Sequence, residues 1–227
     1  CRDREALAAH CGRLRIHAQH EPAREPAEPG ATVVLPPPEV WIRISDTGVG
    51  MSADTIDRAF AAAAGVSDRA SFVQGDMYAA EFSQATVLAL FLLPDNLLKL
   101  RDKFAALKPG TRIVANTFGI EEWTADETLT IADDCLSWCT VLLYFVPARV
   151  DGTWQTAQGP LTLKQQYQLV SGTLGAANIE NGRVKGEMLS FTAAGTAYTA
   201  RLVGETLAGT AKTASGDAAW RATRAAK

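Results

Sequence analysis

The sequence predicts an α/β fold: a shortened sheet built from parallel crossover units over about residues 40–150, followed by an antiparallel β meander or half-barrel over about 151–227. Three observations carry that expectation. Strand-like apolar runs alternate with a helical apolar stripe through the middle of the chain, the order that gives a parallel sheet covered by helices. After Asp151 helix formers thin out, and short alternating segments are separated by Gly and Asn signals. The 227 residues are 47% hydrophobic, enough for one large core or two small ones, which excludes a disordered chain.

Residues 1–39 form an N-terminal segment and a proline-rich loop. A short helix with Ala6, Leu7 and Ala9 on one stripe leads to an alternating edge strand, Leu14 to Ala18. Residues 21–39 hold six of the ten prolines, which fix φ and remove donors, so a loop is expected there. Val40 to Ile44 reads as a strand, Thr47 to Gly50 as a glycine turn, and Ser52 as the N-cap of a helix reaching about Ala64. Ala70 to Val73 is a strand ending at Gly75-Asp76, and Thr86 to Leu92 is a continuous apolar strand of the buried parallel type. Asp95 to Leu107 carries a helical stripe (Leu97, Leu98, Leu100, Phe104, Leu107) stopped by Lys108-Pro109-Gly110. Thr111 to Ala115 and Val141 to Val146 complete the strands of this half.

In the last third, strands are expected at Leu163 to Val170, Arg183 to Phe191, Ala197 to Leu202, Leu207 to Ala211 and Ala218 to Ala222, with Asp151-Gly152 and Asn181-Gly182 as turns. Three segments around Gly172, Gly186 and Gly204 share a loose hydrophobic-and-glycine outline and read as repeated strand bends. Trp154, Tyr167, Phe191, Tyr198 and Trp220 fall where a small barrel needs core. The edges of such a half-barrel need cover, either from the α/β half or from a second copy, and a homodimer is expected because the α/β sheet exposes edge and apolar surface that a second copy could cover.

Charged residues make up 21% of the chain and the formal net charge is −3, so nucleic acid is not the expected partner. The longest apolar run, Ala85 to Pro94, is too short to span a bilayer, and the charged N-terminus lacks a signal-peptide core. A cytoplasmic protein without a membrane partner is expected. Four cysteines make no disulfide framework, which favours a reducing compartment.

The run Ser45-Asp46-Thr47-Gly48-Val49-Gly50 places an acid and two glycines between a strand and a helix, where backbone N–H groups can meet a ligand. With Met51-Ser52 and Ile56 to Phe60, it resembles the first glycine box of the histidine-kinase ATPase module, whose Asp accepts from the adenine amino group. Arg2-Asp3 and Gly12 to Ile16 are weakly similar to the stretch after that family's Asn box. No second glycine box, ATP lid or phosphate-binding segment follows, so ATP is not the expected ligand.

From about residue 62 the chain resembles class I S-adenosylmethionine-dependent methyltransferases. Ala64 to Met77 is similar to the helix and strand ending in the acid that approaches the cofactor's adenine; Ala85 to Pro94 is similar to the central strand facing the methyl group. Leu107 to Val114 is similar to the turn into the next strand. Only one helix lies between Gly50 and Gly65, so one strand-helix unit with its ribose-binding acid is missing from that pattern. The resemblance implies a reduced, Rossmann-like methyltransferase sheet fused to a kinase-type fragment, about residues 1–60. It implies cofactor contacts from Asp46, Gly48, Gly50, Asp76 and Met77.

Other residues offer weaker chemistry. Cys11, His17 and His20, with Cys1 and His10 nearby, are candidate metal ligands by residue type, but no standard spacing is met and metal is not expected. Cys135 and Cys139 flank Trp138 at a spacing of four and read as small buried hydrophobes on one helix face. Glu121, Glu122, Asp126, Glu127, Asp133 and Asp134 surround Trp123 as a solvated acidic face or a substrate mouth. The leading functional expectation is a methyltransferase-like protein with a reduced S-adenosylmethionine site, a small-molecule ligand and an unknown acceptor, acting mostly by positioning, with no catalytic base assigned. The alternative is a fused remnant serving as a binding or structural scaffold, or one with a new activity such as hydrolysis.

Overall fold

Val87–Leu90 (β1) and Arg112–Asn116 (β2) run parallel, with Val87 opposite Arg112 and Leu90 opposite Ala115. A parallel pair needs a crossover, and Pro94–Ala105 (α1) supplies it. Pro94 suits the first helical position because its missing N–H has no intrahelical partner there. Leu97, Leu100 and Phe104 are buried on one stripe of α1, whereas Leu98 stays exposed. The computed structural model describes residue 65 and residues 75–225, apart from 133, 134, 136 and 215. The expected elements over residues 6–18, 40–64 and 70–73, and the loop at 21–39, lie outside the described residues.

Two further strands finish the sheet. Thr140–Phe145 (β4) runs antiparallel to β2 and is inserted between β2 and Glu127–Thr130 (β3), giving the order β1-β2-β4-β3. Strand β3 was not expected, since its residues are exposed throughout and its sequence is an acidic edge rather than an apolar run. Among the described residues, then, the sheet contains one parallel crossover unit and an antiparallel extension.

The remaining eight strands close on themselves. They are Gly152–Thr156 (β5), Gly159–Gln166 (β6), Leu169–Leu174 (β7), Ala177–Lys185 (β8), Met188–Ala193 (β9), Thr196–Val203 (β10), Thr206–Thr213 (β11) and Gly216–Arg224 (β12). Each pairs antiparallel with the next, and β12 returns to β5 through Ala222 opposite Thr156 and Arg224 opposite Trp154. The half-open barrel expected from the sequence is therefore a closed one, and closure pairs both edges that were expected to need cover. Strand alternation points Trp154, Leu161, Leu163, Leu189, Leu207 and Trp220 inward. Phe191 stacks on Tyr198 at 4.8 Å and meets Trp220 edge-on, while Ala193, Ala200, Ala211 and Ala222 leave room for these rings. Eight strands enclose about the width that side chains can fill, and here they fill it.

Two expected strands each contain a hairpin turn. Leu163 to Val170 is broken at Tyr167-Gln168, and Arg183 to Phe191 at Gly186-Glu187. Asn181-Gly182, expected to be a turn, is instead an irregularity inside β8, where the pairing register shifts. Of the three similar glycine segments, those at Gly186 and Gly204 are hairpin turns, whereas Gly172 lies inside β7. A Cβ on Gly172 would stand 1.8 Å from the carbonyl oxygen of Thr162, and its φ is +149°. Only glycine lets the two strands approach there.

The barrel is fixed to the amino-terminal end of β2. Because β4 is antiparallel to β2, Phe145 lies opposite Arg112, and the chain leaves that end for the barrel. Gly110 donates to the Val146 carbonyl at 2.8 Å, and Ala148 donates to that of Gly186 at 2.7 Å. The Asp126 carboxylate, nearly buried, accepts from Arg183 Nη2 and from the Phe145 N–H, both at 2.8 Å. Gln168 donates through Nε2 to the Thr124 carbonyl, and Tyr167 stacks on buried Trp123 at 5.0 Å. Tyr167 thus packs in the seam with the sheet, not in the barrel interior expected for it. Glu122 and Glu127 are exposed and pair with Arg101 and Lys185, as a solvated acidic face would, whereas the Asp126 side chain is buried against Arg183. Among the described residues, no helix is long and apolar enough to cross a membrane.

Candidate active site

The carboxyl ends of β1 and β2 lie at the opposite pole from the barrel, about 13 Å away along β2. In open α/β sheets ligands bind beyond the carboxyl ends of the parallel strands, so this end is the candidate. Three aromatic side chains gather there, with exposed Leu93 at the start of α1 nearby in sequence. Phe91 and Leu93 follow β1 and are 53% and 54% exposed; Trp138, in the β3–β4 connection, is 47% exposed. Phe118 follows β2 and is half-buried. The Trp138 ring lies 5.0 Å from Phe91 and 5.8 Å, edge-on, from Phe118.

Local chemistry holds this group in place. Asn116 Nδ2 donates to the Trp138 carbonyl at 2.9 Å, and Thr117 N–H donates to the Thr140 carbonyl at 2.7 Å. Thr117 and Trp138 both adopt positive φ, 63° and 65°. For non-glycine residues such a conformation costs about 1–3 kcal/mol and persists only where the surroundings enforce it. One such restraint is a disulfide between Cys135 and Cys139, whose Cα atoms are 5.8 Å apart. This corrects the expectation of buried free thiols. Both residues are half-buried in the connection between two antiparallel strands, not on a helix, and the reversal at Trp138 brings them within bonding reach. A formed pair is also at odds with reading every cysteine as reduced.

Of the cofactor contacts expected from the sequence, Asp76 and Met77 are described. Asp76 is exposed and accepts the Tyr78 N–H on Oδ1 at 2.8 Å; Met77 is half-buried against the core of the sheet. Tyr78 donates its hydroxyl to Asn96 Oδ1 at 2.7 Å, which sets this turn beside the first turn of α1. Lys103 fastens the turn further, donating to the carbonyls of Tyr78 and Ala80 and lying over the Phe82 ring. Asp46, Gly48 and Gly50, and the candidate ligands Cys11, His17 and His20, lie outside the described residues. Among the described residues no group of three or more His, Cys, Asp or Glu is placed to hold a metal ion. The aromatic group has no local sequence pattern, because its members come from three separate connections. The available signal was the apolar run continuing past the strand to Leu93, together with Trp138 between two cysteines.

The perturbed titrating groups lie elsewhere. Burial pushes the Tyr144 hydroxyl up, opposed by the hydrogen bond it accepts from the Ile120 N–H at 3.0 Å. Burial likewise pushes Tyr167 up, with Arg101 opposing. The Glu81 carboxyl is held below its usual range, chiefly by the Ser83 N–H. Tyr144 and Tyr167 belong to the core and seam of the sheet rather than to its carboxyl end.

Residues 43–127 match the family model of the ANTKMT methyltransferase domain. The match begins before Asp46, so the glycine turn, expected from the sequence to belong to a kinase-type fragment, falls within the methyltransferase stretch. The resemblance to methyltransferases thus extends further toward the N-terminus than residue 62, and the barrel lies beyond its end. A protein-lysine N-methyltransferase of Saccharolobus islandicus (strain REY15A) is 39% identical over 83 residues, 36% of this chain and 51% of that protein. The chain therefore spans about half the length of this curated relative. A crystal structure of an RNA methyltransferase from Salinibacter ruber, in complex with S-adenosyl-L-homocysteine, is 35% identical; the similarity covers 43% of this chain and 61% of that one, with a TM-score of 0.38.

Proposed function

We propose that the chain is a methyltransferase-like protein that binds S-adenosylmethionine at the carboxyl end of its sheet and transfers the methyl group to an amine. The observation that carries this reading is the methyltransferase match over residues 43–127, which takes in both Asp46 to Gly50 and Asp76-Met77. The described residues fit such a cofactor: Asp76 presents an exposed carboxylate that would accept from an adenine amino group, with Met77 beside it against the core. Asp46, Gly48 and Gly50 would cradle the rest through backbone N–H groups and the absence of side chains.

The cofactor supplies a methyl group already activated on a sulfonium. What remains for the chain is to bind, orient and exclude water. Phe91, Phe118 and Trp138 suit that task, since aromatic faces attract a cationic group and accept an apolar stem. The relative from Saccharolobus supports a protein lysine as acceptor. Calorimetric titration of the full chain with S-adenosylmethionine tests the reading, followed by mass spectrometry of a lysine-rich protein incubated with both. Binding heat and added methyl groups are expected. No heat and no thermal shift at millimolar cofactor would favour the scaffold reading, which rests on the strand-helix unit that the sequence pattern lacks.

A further inference from the structure

Three features coincide at residue 138. The ring stands half in solvent against Phe91 and Phe118, the backbone holds a conformation that tryptophan resists, and a disulfide closes the chain on either side of it. The base of the connection is pinned separately: Ile131 donates to the Cys139 carbonyl at 2.9 Å, and Thr117 donates to that of Thr140. Opening the disulfide would therefore leave the strand ends paired while removing the covalent restraint on the reversal between them.

We propose that Trp138 is a redox-positioned wall of the site at the carboxyl ends of β1 and β2, with Cys135 and Cys139 as its positioning residues. When the disulfide is formed, Trp138 stays against Phe91 and Phe118. A dithiol reductant transfers two electrons and two protons, the S–S bond becomes two thiols, and the reductant leaves as its own disulfide. Both cysteines are half-buried, so a small reductant reaches them. With the restraint gone, Trp138 leaves its positive φ and its ring leaves the wall. The latch stands on this geometry; its consequence for a ligand rests on the function proposed above.

The test uses the full chain with and without dithiothreitol. Peptide mapping of the untreated protein is expected to find Cys135 linked to Cys139. Tryptophan emission, with the Trp138→Phe variant subtracted to isolate residue 138, is expected to shift to the red and quench more readily with acrylamide after reduction. A Cys135→Ser/Cys139→Ser variant is expected to show the reduced signature without reductant. Free thiols at both positions in the air-equilibrated protein, or a Trp138 signal equal in the two states, would overturn the proposal. S-adenosylmethionine titrations of both states separate the two readings. Heat with an unmoved Trp138 overturns the latch and leaves the function standing, whereas a moved Trp138 without heat supports the latch and removes the cofactor.

Discussion

The carboxyl end of the sheet and the interior of the barrel use aromatic side chains in opposite ways. In the barrel Trp154 is 0% exposed and Trp220 4%, with their indole N–H groups donated to the Val150 carbonyl and to Gln158. At the sheet end Phe91 and Trp138 stand about half in water, and Trp138 holds a strained backbone. Burial of an aromatic with its polar atom satisfied serves stability. Exposure of two that touch, one of them on strained backbone, does not, and under the proposed function this is a surface kept for a ligand. The molecule thus separates a packed, closed scaffold from an open working end, with the seam of Asp126, Tyr144 and Tyr167 nearer the scaffold.

The largest expected effect breaks the scaffold. Trp154→Ala removes a fully buried ring, its bond to Val150 and the face on which the Arg224 guanidinium rests at 4.2 Å. A loss of about 3–5 kcal/mol is expected, measured by urea unfolding. If that variant loses less than about 1 kcal/mol, the barrel interior is not the packed core described here.

How much of this contrast was legible depends on what encodes it. Helix α1 was legible because the Leu97-Leu100-Phe104 stripe and the Lys108-Pro109-Gly110 stop are local signals, although its first residue is Pro94 and not Asp95. The hairpin at Tyr167-Gln168 was not, because Tyr167 takes φ +49° with no glycine or Asn-Gly pair to announce it. Its fate in the seam followed from the same turn, which carries its ring out of the barrel to Trp123. Barrel closure was hidden for another reason: it depends on β12 meeting β5 some 70 residues earlier, a contact without local pattern. At the candidate site, the run ending at Asp76 is a local motif, and its cofactor role belongs to the proposed function. The aromatic group depends on juxtaposing three connections, and the disulfide on a loop reversal that spacing alone does not reveal.

A smaller effect sharpens the seam. Tyr144→Phe keeps the ring but leaves the buried Ile120 N–H without its acceptor, at a cost of about 1–3 kcal/mol. Its pH dependence has a definite sign. Burial raises the hydroxyl's pKa in the folded chain, so above about pH 10 the unfolded chain binds fewer protons and stability falls as pH rises. Below that pH both states keep the proton and the contribution is intact. Urea midpoints measured from pH 8 to 11 should therefore fall less steeply for Tyr144→Phe than for the parent chain. An equal slope would assign the alkaline loss to other groups, Tyr167 among them.

The smallest effect on stability is expected where the working end is most visible, at Trp138→Gly. Three contributions compete. Removing a half-exposed ring that touches Phe91 and Phe118 costs about 1–1.5 kcal/mol, half the usual value for a buried apolar side chain. Glycine adds about 0.5–1 kcal/mol of unfolded-state entropy. Against both, glycine adopts φ 65° freely, which returns about 1–3 kcal/mol of backbone strain. The net change is within about 1.5 kcal/mol of zero, because the disulfide and the Asn116 bond to the residue 138 carbonyl both survive the substitution. The urea midpoint should then match the parent's closely, while binding of an amine acceptor weakens through loss of an aromatic face. If Trp138→Gly instead destabilises as much as Trp154→Ala, Trp138 is a structural residue, the two ends of the molecule do not differ in kind, and the aromatic group loses its claim to face a ligand.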